Sequence, residues 1–273
     1  MLAAILPSSL LKSSAAAGPL QFNTSGKFVV MQIADIQESL TVNSRVTALL
    51  SNAIARYKPD LAVFTGDNQT GGSLQYKIVI NAFLKPLIDT NTKYAVTFGN
   101  HEEDGWPKVT KQTQYDHYKS KGGNLFVDHD VPALSGVGNG AIPIYPNGQT
   151  GGTPAFQIYL MDSGMYASSG YDCPYTDQVD YYVQRSLTYP NVPSLWYMHI
   201  IVPDVFYETM TTVNNGTQGQ SGNGSAFGSQ TWYLQTDRIN WSKSAPEITI
   251  QNIYKELPCP ANESTYTNSA HRS

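Results

Sequence analysis

The chain has 273 residues and a mass of 29.9 kDa, which is enough to bury a sizeable hydrophobic core in one large domain. Hydrophobic residues make up 41% of the chain, which excludes a wholly disordered protein. The 17 Lys and Arg residues against 21 Asp and Glu give a net charge of −4, which argues against a nucleic-acid partner held by bulk charge.

The N-terminal segment, residues 1–18, is apolar and rich in small residues. This pattern is typical of a secretion signal, although Lys12 interrupts it and no positive charge precedes it, and a frayed tail is the alternative. No uncharged apolar run reaches the roughly 20 residues that span a bilayer, so no transmembrane anchor is predicted. Six Asn-x-Ser/Thr sequons add modest support for a secreted or vacuolar glycoprotein, and they begin at Asn23, Asn68, Asn215, Asn223, Asn240 and Asn262.

Strand and helix patterns alternate through the first two-thirds of the chain. Short apolar runs predict strands over Lys27–Ala34, Asp60–Thr65, Lys93–Phe98, Phe156–Met161 and Leu195–His199. Apolar residues at steps of three and four predict helices over 46–57 and 79–87, and a further helix is expected over 177–185. This repetition indicates an α/β fold with helices on both faces of a sheet, and an α+β arrangement is the alternative.

The pattern weakens from about Pro203 onwards. Residues Asn214–Gln230 are almost entirely Gly, Ser, Asn, Gln and Thr, which is typical of a loop or linker. The clearest later strand is predicted over Glu247–Ile253. We therefore predict a core over residues 19–203 and a loop-rich C-terminal segment of the same domain over 204–273.

Polar residues directly follow four of the predicted strands. Asp35 follows the first strand and Asp67 the second, Asn100 and His101 follow the third, and His199 ends a later one. Ligands bind at the carboxyl ends of the strands in open α/β sheets. Carboxylates, an amide oxygen and imidazoles are groups that divalent metal ions accept. The sequence therefore predicts a metal site at this edge of the sheet.

The residues at these strand ends carry a family resemblance. Asp-Ile-Gln, Gly-Asp-Asn, Gly-Asn-His-Glu and His-x-x-x-Pro occur in this order and resemble the motifs of the calcineurin-like metallophosphoesterase family. The flanking segments Pro19–Phe28, Phe98–Asp104 and Leu160–Gly164 are similar to its purple-acid-phosphatase-related branch. The resemblance implies a layered β-sheet core flanked by helices, and hydrolysis of phosphate-ester substrates.

The same resemblance implies a site with two divalent metal ions, which would be Mn, Zn, Fe or Mg, and a metal-bridging hydroxide that attacks phosphorus. By this resemblance Asp35 would bind the first metal and Asp67 would bridge both. Asn100 and His199 would bind the second metal. His101 would be catalytic, because it would steady or protonate the leaving-group oxygen instead of binding a metal.

Two departures from the family pattern favour a second hypothesis. Gln37 stands where the family has a histidine, and an amide oxygen suits Mg or Mn better than Zn or Fe. The family's late Gly-His-x-His motif is not found, since His271 is the only histidine after His199. The C-terminal part of the sheet is therefore expected to be incomplete. The alternative is a catalytically inactive or truncated family member that acts as a binding or scaffold protein.

Some remaining polar residues are expected to have structural or solvent-facing positions. His117 and His129 lie in a polar, loop-rich stretch and are expected to face solvent. Asp162 is expected to hold a turn. Cys173 and Cys259 could form one disulfide in an oxidising compartment, and two buried thiols are the alternative.

Overall fold

The structure, a computed structural model, describes residues 17–70, 75–167 and 171–200. The strands in this part of the chain are β1 Leu20–Gln21, β2 Val30–Ile33, β3 Leu61–Thr65, β4 Lys93–Thr97, β5 Gly140–Tyr145, β6 Phe156–Leu160 and β7 Ser194–Tyr197. The α-helices are α1 Ser44–Tyr57, α2 Tyr76–Asp89, α3 Lys111–Gly122 and α4 Thr176–Thr188. A short 3₁₀ turn over Gly123–Leu125 follows α3.

The strands form two sheets. One is a three-stranded parallel sheet in the order β2-β3-β4, and the other is a four-stranded sheet in the order β1-β5-β6-β7. In the four-stranded sheet β5 and β6 are antiparallel, whereas the other neighbours are parallel. The alternating pattern thus predicted five of the seven described strands but did not reveal that they divide between two sheets.

The two sheets pack face to face, and β3 lies between two hydrophobic clusters. All five of its residues are buried. Leu61 and Val63 contact the four-stranded sheet, whereas Ala62 and Phe64 face the cluster formed with α1, α2 and α3. Because successive side chains in a strand point to opposite faces, a strand covered on both sides is apolar throughout.

Helix α4 covers the outer face of the four-stranded sheet. Tyr182 of α4 packs against Tyr159 of β6, with ring centroids 4.6 Å apart, and against Trp196 of β7, at 4.9 Å. The layers are therefore helices, sheet, sheet and helix. This architecture confirms the predicted α/β class with a layered sheet core flanked by helices.

Helices α1, α2 and α4 confirm the predicted helices, whereas α3, β1 and β5 were not predicted. The buried face of α3 is polar or tyrosine-bearing, with Lys111, Gln114 and Tyr118 as members, so the chain shows no apolar stripe there. Pro143 interrupts the strand pattern of β5. None of the described helices is long and apolar enough to cross a bilayer.

The predicted loop over Asn214–Gln230 and the predicted strand over Glu247–Ile253 lie outside the described residues. The same holds for most of the predicted leader over residues 1–18, and the predicted incompleteness of the C-terminal part of the sheet also concerns residues outside this range. The division into a core over 19–203 and a C-terminal segment over 204–273 therefore stays a prediction.

Candidate metal centre

The strand ends bring the predicted site residues to one edge of the three-stranded sheet. Strands β2, β3 and β4 are parallel and end at Ile33, Thr65 and Thr97, so the loops that follow them leave from the same side. These loops carry Asp35, Gln37, Asp67, Asn100 and His101, and the loop after β7 brings in His199. The residues predicted for the site therefore lie at the carboxyl ends of the strands.

The backbone at this edge turns sharply at three non-glycine residues. Asp35, Gln37 and Asp67 have φ values of 54°, 49° and 50°. Backbone hydrogen bonds hold the turns, from Asp35 N to Gly66 O at 3.1 Å and from Gln37 N to Asp67 O at 3.0 Å. Left-handed conformations cost L-residues conformational energy and cluster at functional sites. Three such residues at one edge indicate that the backbone accepts this energetic cost in order to place their side chains.

Two glycines allow the strand ends to approach each other closely. A Cβ on Gly66 would lie 2.5 Å from Gly99 N and 2.8 Å from His199 Cβ. A Cβ on Gly99 would lie 2.3 Å from Asp67 Oδ1. Gly66 also has a φ of 106°, which side-chain-bearing residues rarely adopt. These glycines let Asp67 and His199 occupy the same small volume.

Asp67 is the centre of the cluster and is only 2% exposed. Its Oδ1 accepts a hydrogen bond from the backbone N–H of His101 at 3.0 Å. Its Oδ2 accepts one from Gln37 Nε2 at 3.0 Å and lies 3.2 Å from His199 Nε2. Every partner is a donor, so the surroundings favour a charged carboxylate.

The pKa values follow from this arrangement. Burial opposes the charge on Asp67, but the hydrogen bond and charge of His199 outweigh it, so the pKa of Asp67 lies below its ordinary value. Burial alone would lower the pKa of His199. The hydrogen bond and the charge of Asp67 oppose burial and prevail, so the pKa of His199 lies above its ordinary value. Burial also raises the pKa of Asp35, with His199 opposing and the Asp67 charge adding. Binding of a metal ion here would therefore displace a proton from His199.

The donor set fits a divalent metal ion. Asp35, Asp67 and His199 each offer a ligand atom, and these atoms lie within 4.8 Å of one another. Two carboxylates and one imidazole suit Zn, Mn or Fe. Among the described residues this is the one group of three acidic, histidine or cysteine side chains with such spacing. The described acidic and histidine side chains thus supply three ligands for one ion.

Gln37 and Asn100 lie at the edges of this group. Gln37 donates its amide N–H to Asp67, and Asn100 is buried and donates from Nδ2 to the hydroxyl of Tyr166 at 2.9 Å. Their roles as metal ligands stay predictions.

His101 lies beside the group without belonging to it. Its Nδ1 pairs with Asp104, and its Nε2 lies 3.9 Å from Asp67 Oδ2. The ring therefore presents one nitrogen to the centre while Asp104 fixes the other. An Asp–His pair of this kind orients the imidazole for proton transfer. The predicted catalytic role of His101 stays a prediction that this geometry supports.

Glu102 is a buried residue that supports the loops of the site. It was not singled out from the sequence, although it is the last residue of the Gly-Asn-His-Glu motif. It is 0% exposed and accepts hydrogen bonds from Asn68 N at 2.9 Å and from Gly99 N at 2.8 Å. It thereby ties the loops after β3 and β4 together. Burial raises the pKa of Glu102 to about 7, and the charge of Asp67 adds to this effect.

This raised pKa predicts a pH-dependent stability. The folded protein holds the Glu102 proton more tightly than the unfolded chain, so stability falls as pH rises from the ordinary value of 4.5 to about 7. We expect a loss of roughly 3 kcal/mol over this range. Urea unfolding at several pH values should show this slope, and Glu102→Gln should flatten it. Glu38→Gln is the control, and equal slopes in wild type and Glu102→Gln would contradict the prediction.

Two histidines outside the site test predictions made from the sequence. His117 and His129 were expected to face solvent, and for His129 this is wrong: it is 8% exposed, and its ring nitrogens lie 3.0 Å from Val127 O and 3.1 Å from Gly138 O. His117 lies on α3 and pairs with Asn81 at 3.0 Å. Both rings lie against other elements, His117 against Tyr76 of α2 and His129 against Tyr115 of α3. A polar sequence context gave no indication of this packing.

Asp162 holds a turn as predicted, and it is also half of a buried ion pair. Its Oδ1 accepts from Gly164 N at 3.0 Å and from Lys111 Nζ at 2.6 Å. Cys173 is buried and is not a free thiol. Cys259 lies outside the described residues, so the pairing of the two cysteines stays a prediction.

Gln37→His tests whether position 37 faces a metal ion. We expect the variant to bind Zn or Fe about tenfold more tightly, because imidazole is a better ligand than an amide for these ions. Metal titration with a competing chelator measures the change. Gln112→His, which adds a histidine on the exposed side of α3, is the control. Unchanged affinity in Gln37→His would mean that this side chain does not reach the ion.

Comparisons with known proteins agree with this geometry. Residues 28–236 match the family described as calcineurin-like phosphoesterase. The probable inactive purple acid phosphatases 29 and 14 of Arabidopsis thaliana are 27% and 26% identical to this chain, over 68% and 74% of it. Phosphatase DCR2 of Saccharomyces cerevisiae is 26% identical over 68% of the chain.

The matches cover 57% and 60% of the two plant proteins and 36% of the yeast protein, so the chain spans about 60% or less of these relatives. The family match nevertheless covers most of this chain and includes every predicted site residue. The resemblance noted in the sequence, including its purple-acid-phosphatase-related branch, is confirmed. The chain belongs to the calcineurin-like phosphoesterase family.

Proposed function

We propose that this protein hydrolyses phosphate esters with divalent metal ions held at the carboxyl ends of its strands. The observation that supports this most directly is the cluster of Asp35, Asp67 and His199, whose ligand atoms lie within 4.8 Å of one another beside His101. Two acidic groups and an imidazole at a strand-end edge form a site for a cation. A cation there would attract the phosphoryl group of a substrate.

The side chains have distinct roles in this proposal. Asp35, Asp67 and His199 would hold the metal ions, with Gln37 and Asn100 as further oxygen ligands. The ions would neutralise charge on the phosphoryl oxygens and lower the pKa of water, which is the chemistry that the family obtains from them. His101, oriented by Asp104, donates a proton to the leaving-group oxygen. Asp67 accepts hydrogen bonds from the Gln37 side chain and from the His101 backbone, and it thereby fixes the positions of these two residues relative to each other.

A second candidate function is binding without catalysis. Gln37 replaces the family's histidine, and the family's Gly-His-x-His motif is absent from the sequence. Two plant relatives carry the words "probable inactive" in their names, whereas the yeast relative is named a phosphatase. A protein of this kind would bind one ion and a phosphorylated ligand but would not turn it over.

One experiment separates the two functions. The purified chain is equilibrated with Mn, Mg, Zn or Fe, its metal content is measured by elemental analysis, and hydrolysis of p-nitrophenyl phosphate is followed in parallel. Turnover that requires the added metal supports the phosphoesterase. One bound ion with phosphate binding and no turnover supports the binding protein. A chain that binds no metal contradicts both.

We also infer that the protein enters the secretory pathway and is secreted or vacuolar. The apolar N-terminal segment and the six sequons support this inference. Of the two sequons in the described residues, Asn23 is exposed, whereas Asn68 is 0% exposed and offers no room for a glycan. Expression in a eukaryotic cell followed by glycosidase digestion should shift the protein to lower mass. The Asn68→Gln variant should show the same shift, and a wild-type protein that does not shift would contradict the inference.

A further inference from the structure

We propose that Tyr166 and Tyr171 form an aromatic platform at the mouth of the metal centre, which selects phosphate esters that carry a planar aromatic group. This inference rests on the proposed function for the position of the phosphoryl group. The term aromatic platform refers below to these two side chains.

Tyr166 reaches into the site with its hydroxyl. The oxygen accepts a hydrogen bond from Asn100 Nδ2 at 2.9 Å and lies 3.3 Å from His101 Nδ1. The ring stands edge-on to the His101 ring, with centroids 6.2 Å apart. Tyr166 therefore borders the group that would protonate the leaving-group oxygen. Its hydroxyl lies on the Nδ1 side of the His101 ring, where Asp104 also pairs, so Tyr166 lies at the border of the metal centre.

The rings of the platform extend from the site into solvent. Tyr166 is 49% exposed and Tyr171 is 61% exposed. The two rings are stacked, with centroids 6.1 Å apart and planes 27° apart, and their backbones form an isolated antiparallel bridge. Large aromatic surface is normally removed from water, so a stacked pair left exposed beside a polar centre indicates a binding surface.

Several contacts hold the platform in place. Asp162, just before it, is anchored by Lys111. Asp172, just after it, donates its backbone N–H to Met165 O at 3.4 Å and accepts from the Tyr175 hydroxyl at 2.9 Å. A platform fixed before the ligand arrives loses little entropy on binding.

The same edge of the sheet exposes further apolar surface. Trp106 follows β4 and is 91% exposed, and Leu40 follows β2 and is 60% exposed. Both loops leave from the carboxyl edge that carries the metal centre. The exposed tyrosine rings favour an aromatic group over a sugar or a charged alkyl chain, because stacking on a ring face requires a flat apolar partner.

Binding of non-hydrolysable phosphonates tests the proposal without turnover. Phenylphosphonate and methylphosphonate are titrated into the Mn-loaded chain by calorimetry. We expect phenylphosphonate to bind about tenfold more tightly in the wild type, and we expect this preference to fall to about twofold or less in Tyr171→Leu. Tyr171→Phe keeps the ring and should keep the preference.

Tyr57→Leu is the matched control. Tyr57 is 60% exposed, like Tyr171, but it ends α1 just before the amino end of β3, at the opposite edge of the sheet. Adenosine 5′-monophosphate and ribose 5-phosphate form a second pair, which separates a nucleotide from a simple aryl ester as the source of the aromatic group.

Equal affinities of the two phosphonates in the wild type, no binding of phenylphosphonate, or a preference that survives in Tyr171→Leu would each overturn the proposal. Hydrolysis of phenyl phosphate is measured separately. A preserved preference without hydrolysis would contradict the proposed function and leave the aromatic platform standing. Hydrolysis without any preference would contradict the platform alone.

Discussion

Lys111→Met is expected to lower the free energy of unfolding by about 3–5 kcal/mol. The Lys111 and Asp162 side chains are only 7% and 2% exposed, and Nζ lies 2.6 Å from Oδ1. The variant leaves the Asp162 carboxylate buried without its cation. Its remaining donors are the backbone N–H groups of Val137 and Gly164, which do not neutralise its charge.

Denaturant unfolding of Lys111→Met measures this loss, and its pH dependence identifies the cause. Burial already raises the pKa of Asp162, against the opposing charge of Lys111. Without Lys111 the carboxyl should be protonated more readily, so the deficit should shrink at acidic pH. The double variant Lys111→Met/Asp162→Asn should be more stable than Lys111→Met at neutral pH.

Lys119→Met is the control, because Lys119 also pairs with an aspartate, Asp128, but both side chains are largely exposed. Its effect should stay within about 1 kcal/mol. Equal losses in Lys111→Met and Lys119→Met would mean that burial of the first pair has no energetic consequence.

The same ion pair explains why part of the fold could not be predicted. Lys111 begins α3, and the helix packs through Lys111, Gln114 and Tyr118. Gln114 is held by Glu102 O at 2.8 Å and by Gln69 Nε2 at 3.0 Å. Lys111 and Gln114 are buried with hydrogen-bond partners that other loops supply. Periodicity detects apolar faces, so it found α1 and α2 and missed a helix with a polar buried face.

More of the site than of the fold could be predicted from the sequence, for a physical reason. The end of a parallel strand places the next residue at a known edge, so Asp35, Asp67 and His199 could be located from strand positions alone. Tyr166 and Asp104 could not, since their roles depend on contacts with His101 and Asn100 made by loops of irregular shape. The parallel strands determine at which edge of the sheet the ligand residues lie. The conformation of the loops determines which other side chains lie next to them.

Asp67→Ala is expected to reduce phosphate-ester turnover by about a thousandfold or more, and to remove most of the bound metal. Asp67 belongs to the proposed ligand group and also accepts hydrogen bonds from Gln37 and His101. Its loss removes a charged ligand and releases the side chains around it. A metal site supplies several kcal/mol of charge stabilisation, and each 1.36 kcal/mol corresponds to a tenfold change in rate.

Titration of His199 by NMR in the metal-free protein gives a readout that does not depend on turnover. Asp67 raises the pKa of His199 against the effect of burial, so Asp67→Ala should lower that pKa. In the wild type the charge pair stabilises the fold below the ordinary pKa of His199, and this contribution is lost as pH rises through the raised value. The variant should lack this pH-dependent stabilisation.

Asp89→Ala is the control for Asp67→Ala, because Asp89 ends α2, where its carboxylate pairs with Lys85 on the surface. It should change neither metal content nor turnover. Full turnover in Asp67→Ala would contradict the proposed mechanism. Loss of turnover with metal content unchanged would move the role of Asp67 from metal binding to the positioning of His101, since Asp67 Oδ1 holds the His101 backbone at 3.0 Å. A drop in metal content together with a lower His199 pKa is the result that places Asp67 at the centre of the site.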